Sequence, residues 1–150
     1  EPHKDVEETK KILEGWIASY ESKDFYTWAI AWREDEGNVI GSIAVPQLNQ
    51  KAGRVTVGYC LGRKWWGNGI MKEAFAELIR FFFEVEGANR VEALHDTRNV
   101  NSGKVMMACG LKKEGTLRQY GWNNQGICDE CIYGMVASDY FEGKQRWENK

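Results

Sequence analysis

Apolar residues recur along this chain with two periods, near 3.6 and near 2, and their alternation lays out a mixed α/β domain. From Asp5 to Tyr20, Val6, Ile12, Leu13, Trp16, Ile17 and Tyr20 fall at three- and four-residue steps among charges, an amphipathic helix expected to cover a sheet. Two β-rich runs follow, Phe25 to Arg33 and Val39 to Val45, with Asp35-Glu36-Gly37-Asn38 between them as an antiparallel turn. Pro46 is placed to end the second run, because it has no N–H for a ladder. Arg54 to Leu61 is a third β run, and the short basic loop Gly62 to Gly69 leads into the best-defined helix, Ile70 to about Glu84. Its Ile70, Met71, Ala74, Phe75, Leu78 and Phe82 share one wide face, so the helix is largely buried. Val91 to His95 reads as a short strand and Ser102 to Cys109 as a helix stopped by Gly110. Gly115 to Trp122 and Ile127 to Val136 read as a closing hairpin that turns at Asn123, Asn124 and Gly126.

A length of 150 residues, 43% hydrophobic, suits one compact domain with a sizeable core. The 20 basic and 22 acidic residues nearly cancel, and no run of like charge makes a nucleic-acid or membrane footprint, so the expected partner is small or peptidic. No apolar stretch is long enough to span a bilayer and no secretory succession opens the chain, which points to the cytoplasm. In that compartment Cys60, Cys109, Cys128 and Cys131 are expected to be free thiols. Cys128 and Cys131 have metal-ligand spacing, but they lack a second ligand pair and lie in an alternating apolar run that reads better as a strand.

The segment that carries chemistry is Arg63-Lys64-Trp65-Trp66-Gly67-Asn68-Gly69-Ile70, because it joins a strand end to the start of a buried helix. Unpaired N–H groups and the helix dipole attract anions there, and Gly67 and Gly69 let the backbone approach a phosphate. A pyrophosphate is the natural guest, though two glycines before a helix also make an ordinary turn. A Rossmann fingerprint would need a third glycine where Ile70, Met71 and Lys72 stand, and no Gly-Lys-Ser or Gly-Lys-Thr follows as a Walker loop requires.

Lys64-x-x-Gly67-x-Gly69 resembles the acetyl-CoA pyrophosphate loop of the GNAT acetyltransferases, with Lys where Gln or Arg is more usual. Gly58-Tyr59-Cys60-Leu61 followed by Trp65 through Ala74 resembles the RimJ/RimL-type, ribosomal-protein-alanine acetyltransferase-like branch. A second block agrees: Asn99-Val100-Asn101-Ser102, Val105, Gly110-Leu111 and Glu114-Gly115 with Arg118 resembles that branch's Asn-x-x-Ser helix, Gly-Phe turn and following strand. The likeness covers about residues 41–140. It implies the GNAT fold, a central, mostly antiparallel, splayed sheet flanked by helices. It further implies a single domain over residues 1–150 that lacks the family's first strand and helix.

The resemblance also implies the chemistry, transfer of an acetyl group from acetyl-CoA to a primary amine by direct attack. The pantetheine arm would lie on the edge around Tyr59, Cys60 and Leu61, with N–H groups near Tyr59 and Cys60 steadying the oxyanion. Lys64, Trp66, Gly67, Asn68, Gly69 and Ile70 would hold the pyrophosphate, with Arg63 adding charge, and Asn99 and Ser102 would contact the cofactor near its sulfur. Many family members use a Tyr as the acid; that position here aligns with Met106, so Ser102 becomes the candidate, against a plain role as helix N-cap. His95 is the candidate base, because an imidazole ordinarily titrates near neutrality and its strand ends at the cleft, against a packed histidine bonded to its neighbours, Asp96 included. The central-strand Glu that serves elsewhere in the family has no counterpart between Arg54 and Leu61, and a water relay to a bulk base is the other route. Glu73 at a helix start is better explained by the dipole. Trp65, Trp66, Tyr120 and Trp122 either line the acceptor site or cover core edges. A protein or peptide N-terminus is the favoured acceptor. A non-catalytic acyl-CoA-binding module is the rival, and the closing hairpin offers an edge for a homodimer.

Overall fold

The computed structural model describes residues 5–148. Helix α1 (Val6–Ser19) is followed by strands β1 (Thr27–Trp32), β2 (Asp35–Asn49) and β3 (Arg54–Leu61), a single 3-10 turn at Arg63–Trp65, and helix α2 (Ile70–Glu84). Then come β4 (Arg90–Asp96), α3 (Val100–Ala108), β5 (Lys112–Asn123), β6 (Gly126–Val136) and α4 (Ala137–Glu148). The six strands form one sheet in the order β1-β2-β3-β4-β6-β5, antiparallel except for the pair β3 and β4. The chain crosses between those two parallel strands through α2, the connection that a parallel pair requires.

Val55, Thr56 and Val57 of β3 are all buried, as befits a central strand covered on both faces. The odd-numbered side packs on α2, where Phe75, Leu78, Ile79 and Phe82 meet Ile43, Val55, Val57, Val91 and Ala93 in the main core. Helix α3 adds Met106, 1% exposed, to the same core, and Tyr140 of α4 stacks on Phe83 of α2 with ring centroids 5.0 Å apart. Helices α2, α3 and α4 thus cover one face of the sheet. The other face carries a polar layer in which Thr56 Oγ1 donates to Glu92 at 3.0 Å and Arg90 pairs with both Glu92 and Glu114.

Several boundaries differ from the sequence reading. The β1–β2 turn lies at Arg33 and Glu34, and Asp35 to Asn38 already belong to β2. Pro46 does not end β2: the β2–β3 register shifts between Ala44 and Gln47, so the proline falls where its missing N–H interrupts no ladder. Helix α1 is capped by Asp5, whose carboxylate accepts from Glu8 N at 2.8 Å, yet none of its residues is buried and Val6, Leu13 and Ile17 are exposed. The period identifies an apolar face without saying what covers it, and among the described residues this face is not packed on the sheet. Helix α4 escaped notice because Ala137, Tyr140 and Phe141 are too few to make a helical stripe in a polar segment.

Candidate active site

Strands β3 and β4 pair only from Arg54↔Arg90 to Val57↔Ala93, although β3 runs on to Leu61 and β4 to Asp96. Beyond Val57 the two diverge, while the far side of β3 stays paired with β2 through Gly58↔Ala44, Tyr59↔Ile43, Cys60↔Ser42 and Leu61↔Gly41. The Gly62 amide donates to Ile40 O at 2.8 Å. Because bonded and non-bonded pairs alternate along an antiparallel ladder, Cys60 is turned toward β2 whereas Tyr59 and Leu61 direct their N–H and C=O groups into the gap. The Leu61 carbonyl is taken by the Trp66 indole N–H at 2.7 Å, in agreement with that direction. The free edge is therefore formed by Tyr59 and the Leu61 amide rather than by Cys60.

At the same end of the sheet the loop prepares a helix terminus. Gly67 and Gly69 adopt φ of 79° and 78°, with open space where a Cβ would stand, so glycine is required by the backbone and not by crowding. Gly69 is the N-cap of the 15-residue α2 and brings no side chain to the first-turn amides, which leaves them for an anion. Asn68 spends its side-chain amide on the carbonyls of Trp65 and Trp66 at 3.1 and 3.2 Å, so what it offers a ligand is backbone. Lys64 Nζ stands 4.7 Å from the Trp65 ring centroid and the Arg63 guanidinium 5.9 Å from that of Trp66, which holds both cations over the loop.

Helix α3 closes the third side. Its N-cap is Asn99, whose side chain accepts from Ser102 N, so Ser102 is a first-turn residue and not the cap. The Ser102 hydroxyl is half-buried and has no hydrogen-bond partner among the described residues. Tyr59 Oη donates to Ser102 O at 3.0 Å, joining the free strand to α3. Burial pushes the Tyr59 phenol well above the usual tyrosine range, so it remains a donor. Sequence reasoning used only the backbone of Tyr59; its alternation with Val55 and Val57 was the available signal that the ring faces the helices.

His95 lies on the face of Val91 and Ala93, but α3 covers it. Its Nδ1–H donates to Asp96 O at 2.7 Å, and Nε2 is buried with no partner among the described residues, facing Gly103, where a Cβ would stand 2.7 Å away. Trp66, Tyr120 and Trp122 are 51%, 61% and 64% exposed, so they do not cover core edges, whereas Trp65 packs edge-on against Trp32. Cys128 and Cys131 stand at odd and even positions of β6 and contact Asn123 and Thr116 respectively, on opposite faces of the sheet.

Residues 1–112 match a family model described as an acetyltransferase (GNAT) domain. The chain is 30% identical over 131 residues to the uncharacterized N-acetyltransferase YoaA of Bacillus subtilis (strain 168), covering 87% of this chain and 73% of that protein. It is 28% identical over 88 residues to the ribosomal protein uS5-alanine N-acetyltransferase of Escherichia coli (strain K12), 59% of this chain and 45% of that enzyme. The crystal structure of a ribosomal-protein-S5-alanine acetyltransferase from Vibrio fischeri superposes with a TM-score of 0.79 at 24% identity, over 93% of this chain and 79% of that one. With the free strand edge beside an uncapped helix terminus, these matches place the chain in the GNAT family of acetyl-CoA-dependent N-acetyltransferases.

Proposed function

We propose that the chain acetylates the free N-terminal amine of a protein or peptide, which attacks the thioester while both substrates are bound. The observation that carries this reading is the coincidence, at one end of the sheet, of the unpaired Tyr59–Leu61 edge, the uncapped start of α2 and the first turn of α3. The pantetheine amides pair with the free edge, the loop from Lys64 to Ile70 receives the pyrophosphate, and the Tyr59 amide is offered to the thioester oxygen as it becomes an oxyanion. Asn99 and Ser102 border the sulfur, and Ser102 gives its hydroxyl proton to the departing thiolate. His95 packs beneath α3 in this reading, because its sealed Nε2 does not reach the proton of an incoming amine. The exposed Tyr120 and Trp122 suit an extended chain behind the reacting amine better than a small polar amine.

The test has two parts. Acetyl-CoA and CoA are expected to raise the melting temperature where NAD and ATP do not. Thiol release with a hexapeptide bearing a free N-terminal alanine, with mass gain at its α-amine, then establishes transfer, and Ser102→Ala is expected to lower kcat about a hundredfold. Binding without thiol release would identify a non-catalytic acyl-CoA module instead.

A further inference from the structure

We infer that Glu130 is the group that takes the proton from the acceptor's ammonium, an assignment that rests on the acetyl-transfer reading above. Helices α2, α3 and α4 close one face of the sheet, so an acceptor reaches the gap between β3 and β4 from the other face. His95 points to α3; Asp96, the next residue, points to the open face, and its register partner on β6 is Glu130. Glu130 lies on β6, one strand spacing of about 4.8 Å from β4, and its carboxylate rests over Gly121 of β5, so it approaches the gap by swinging back across β6 toward β4.

The surroundings of Glu130 are unusual for a structural carboxylate. It is half-buried, and no hydrogen bond or ion pair engages it among the described residues. Asp96 faces it from β4 but is fully engaged, accepting from the Arg98 backbone and guanidinium and from Asn123 Nδ2 at 2.7 Å. On β5 the facing residues are Leu117, its register partner, and Gly121; along β6, Cys128 and Ile132 share its face. A Cβ added to Gly121 would overlap the Glu130 carboxylate, so β5 leaves room for this side chain. Arg98 already balances the Asp96 charge, whereas a half-buried carboxylate without a partner is costly. An ammonium bound beside Glu130 offsets that cost.

Proton and bond balance follow. Glu130 takes one proton from the ammonium and passes it to water; the nitrogen lone pair forms the C–N bond, and collapse of the tetrahedral adduct breaks the C–S bond. The thiolate takes the Ser102 hydroxyl proton, and the second proton lost by the nitrogen restores that hydroxyl through solvent, for a net release of one proton.

Glu130→Gln keeps the shape and removes the base. With saturating acetyl-CoA and the N-terminal-alanine hexapeptide, its kcat/KM is expected to fall about 10²- to 10⁴-fold and to lose the acid limb of the wild-type pH profile. Its melting-temperature rise with acetyl-CoA is expected to match that of the wild type. Gly121→Ala displaces the same carboxylate from the opposite strand, so the double variant is expected to be no slower than Glu130→Gln alone. Glu130→Gln turning over the peptide at the wild-type rate, or with an unchanged pH profile, overturns the assignment; additive losses in the double variant also overturn it. A wild-type enzyme that binds acetyl-CoA but leaves the peptide unacetylated removes the peptide reading and this assignment together, whereas loss confined to the variants' folding is exposed by their unliganded melting temperatures.

Discussion

Gly103→Ala sets two effects of opposite sign against each other. In a helix interior alanine is favoured over glycine by about 0.5–1 kcal/mol, so helix propensity alone says that α3 gains. The packing says otherwise: the new Cβ would stand 2.7 Å from His95 Nε2, 3.1 Å from Tyr133 Oη and 3.3 Å from His95 Cε1. The ring has little freedom to retreat, since Nδ1 is held by Asp96 O at 2.7 Å and the plane lies against Tyr133 at 5.5 Å. Overpacking of this kind costs about 1–3 kcal/mol, and its central value of about 2 kcal/mol outweighs the propensity gain, leaving a net loss of about 1 kcal/mol. At about 2–4 °C per kcal/mol for a chain of this size, the melting temperature is expected to fall by roughly 2–4 °C. Relief comes by displacing α3 outward, which carries Asn99 and Ser102 with it, so KM for acetyl-CoA is expected to rise as well. Thermal unfolding and thiol-release kinetics read the two effects. In a His95→Ala background the same substitution should become neutral or stabilising. An unchanged or higher melting temperature for Gly103→Ala alone would refute the reasoning, because it would mean that the ring yields freely.

Three further outcomes are expected. Gly69→Ala enters open space at φ 78°, so its cost is backbone strain alone, about 1–2 kcal/mol; Gly69→Asn should cost less, and equal losses in melting temperature would argue against the left-handed cap. Glu92 is 6% exposed and bound by Thr56, Arg90 and Arg54, so Glu92→Ala should cost about 3–5 kcal/mol, read as a lower urea midpoint; a loss below about 1 kcal/mol would show the polar layer to be dispensable. Lys144, then Tyr140 and Arg80, hold the Glu84 carboxyl down to about 2, so the stability from this clasp on α4 is present above the ordinary carboxylate value near 4.5 and is lost as pH falls toward 2. Glu84→Gln should flatten the melting temperature across that window, and a profile parallel to the wild type would remove the clasp.

The parts of the fold that were legible are those where one period ran uninterrupted. The bounds of β3 and α2 agree with the sequence reading at both ends, because Val55, Val57 and Tyr59 alternate cleanly and Met71, Phe75, Leu78 and Phe82 keep helical spacing. The loop between them announced itself by two glycines ahead of a buried helix, and both adopt the positive φ that only glycine takes easily. What stayed hidden depends on partners distant in sequence. The alternation along β4 put His95 on the correct face, but its closure by Gly103 of α3 requires the tertiary packing. Asn99 rather than Ser102 caps α3, a choice between two good caps three residues apart that local sequence does not decide. Gly121 is simply part of the Gly115 to Trp122 strand in the sequence reading, and the carboxylate of Glu130 lying across it depends on a residue of the neighbouring strand.

An open sheet ordinarily has two edges, and each invites another chain to add a strand. The divergence of β3 from β4 gives this sheet a third, in the middle of the core, where short strands of β-branched and aromatic residues would make an effective template for aggregation. Its extent limits the danger. The Leu61 carbonyl is capped by Trp66, Tyr59 Oη ties the strand to α3, and every second residue is still spoken for by β2, so an intruding strand would find too few bonding positions to hold register. The same brevity suits a narrow guest with two amides along an otherwise flexible arm, so the opening selects for a thread over a ribbon.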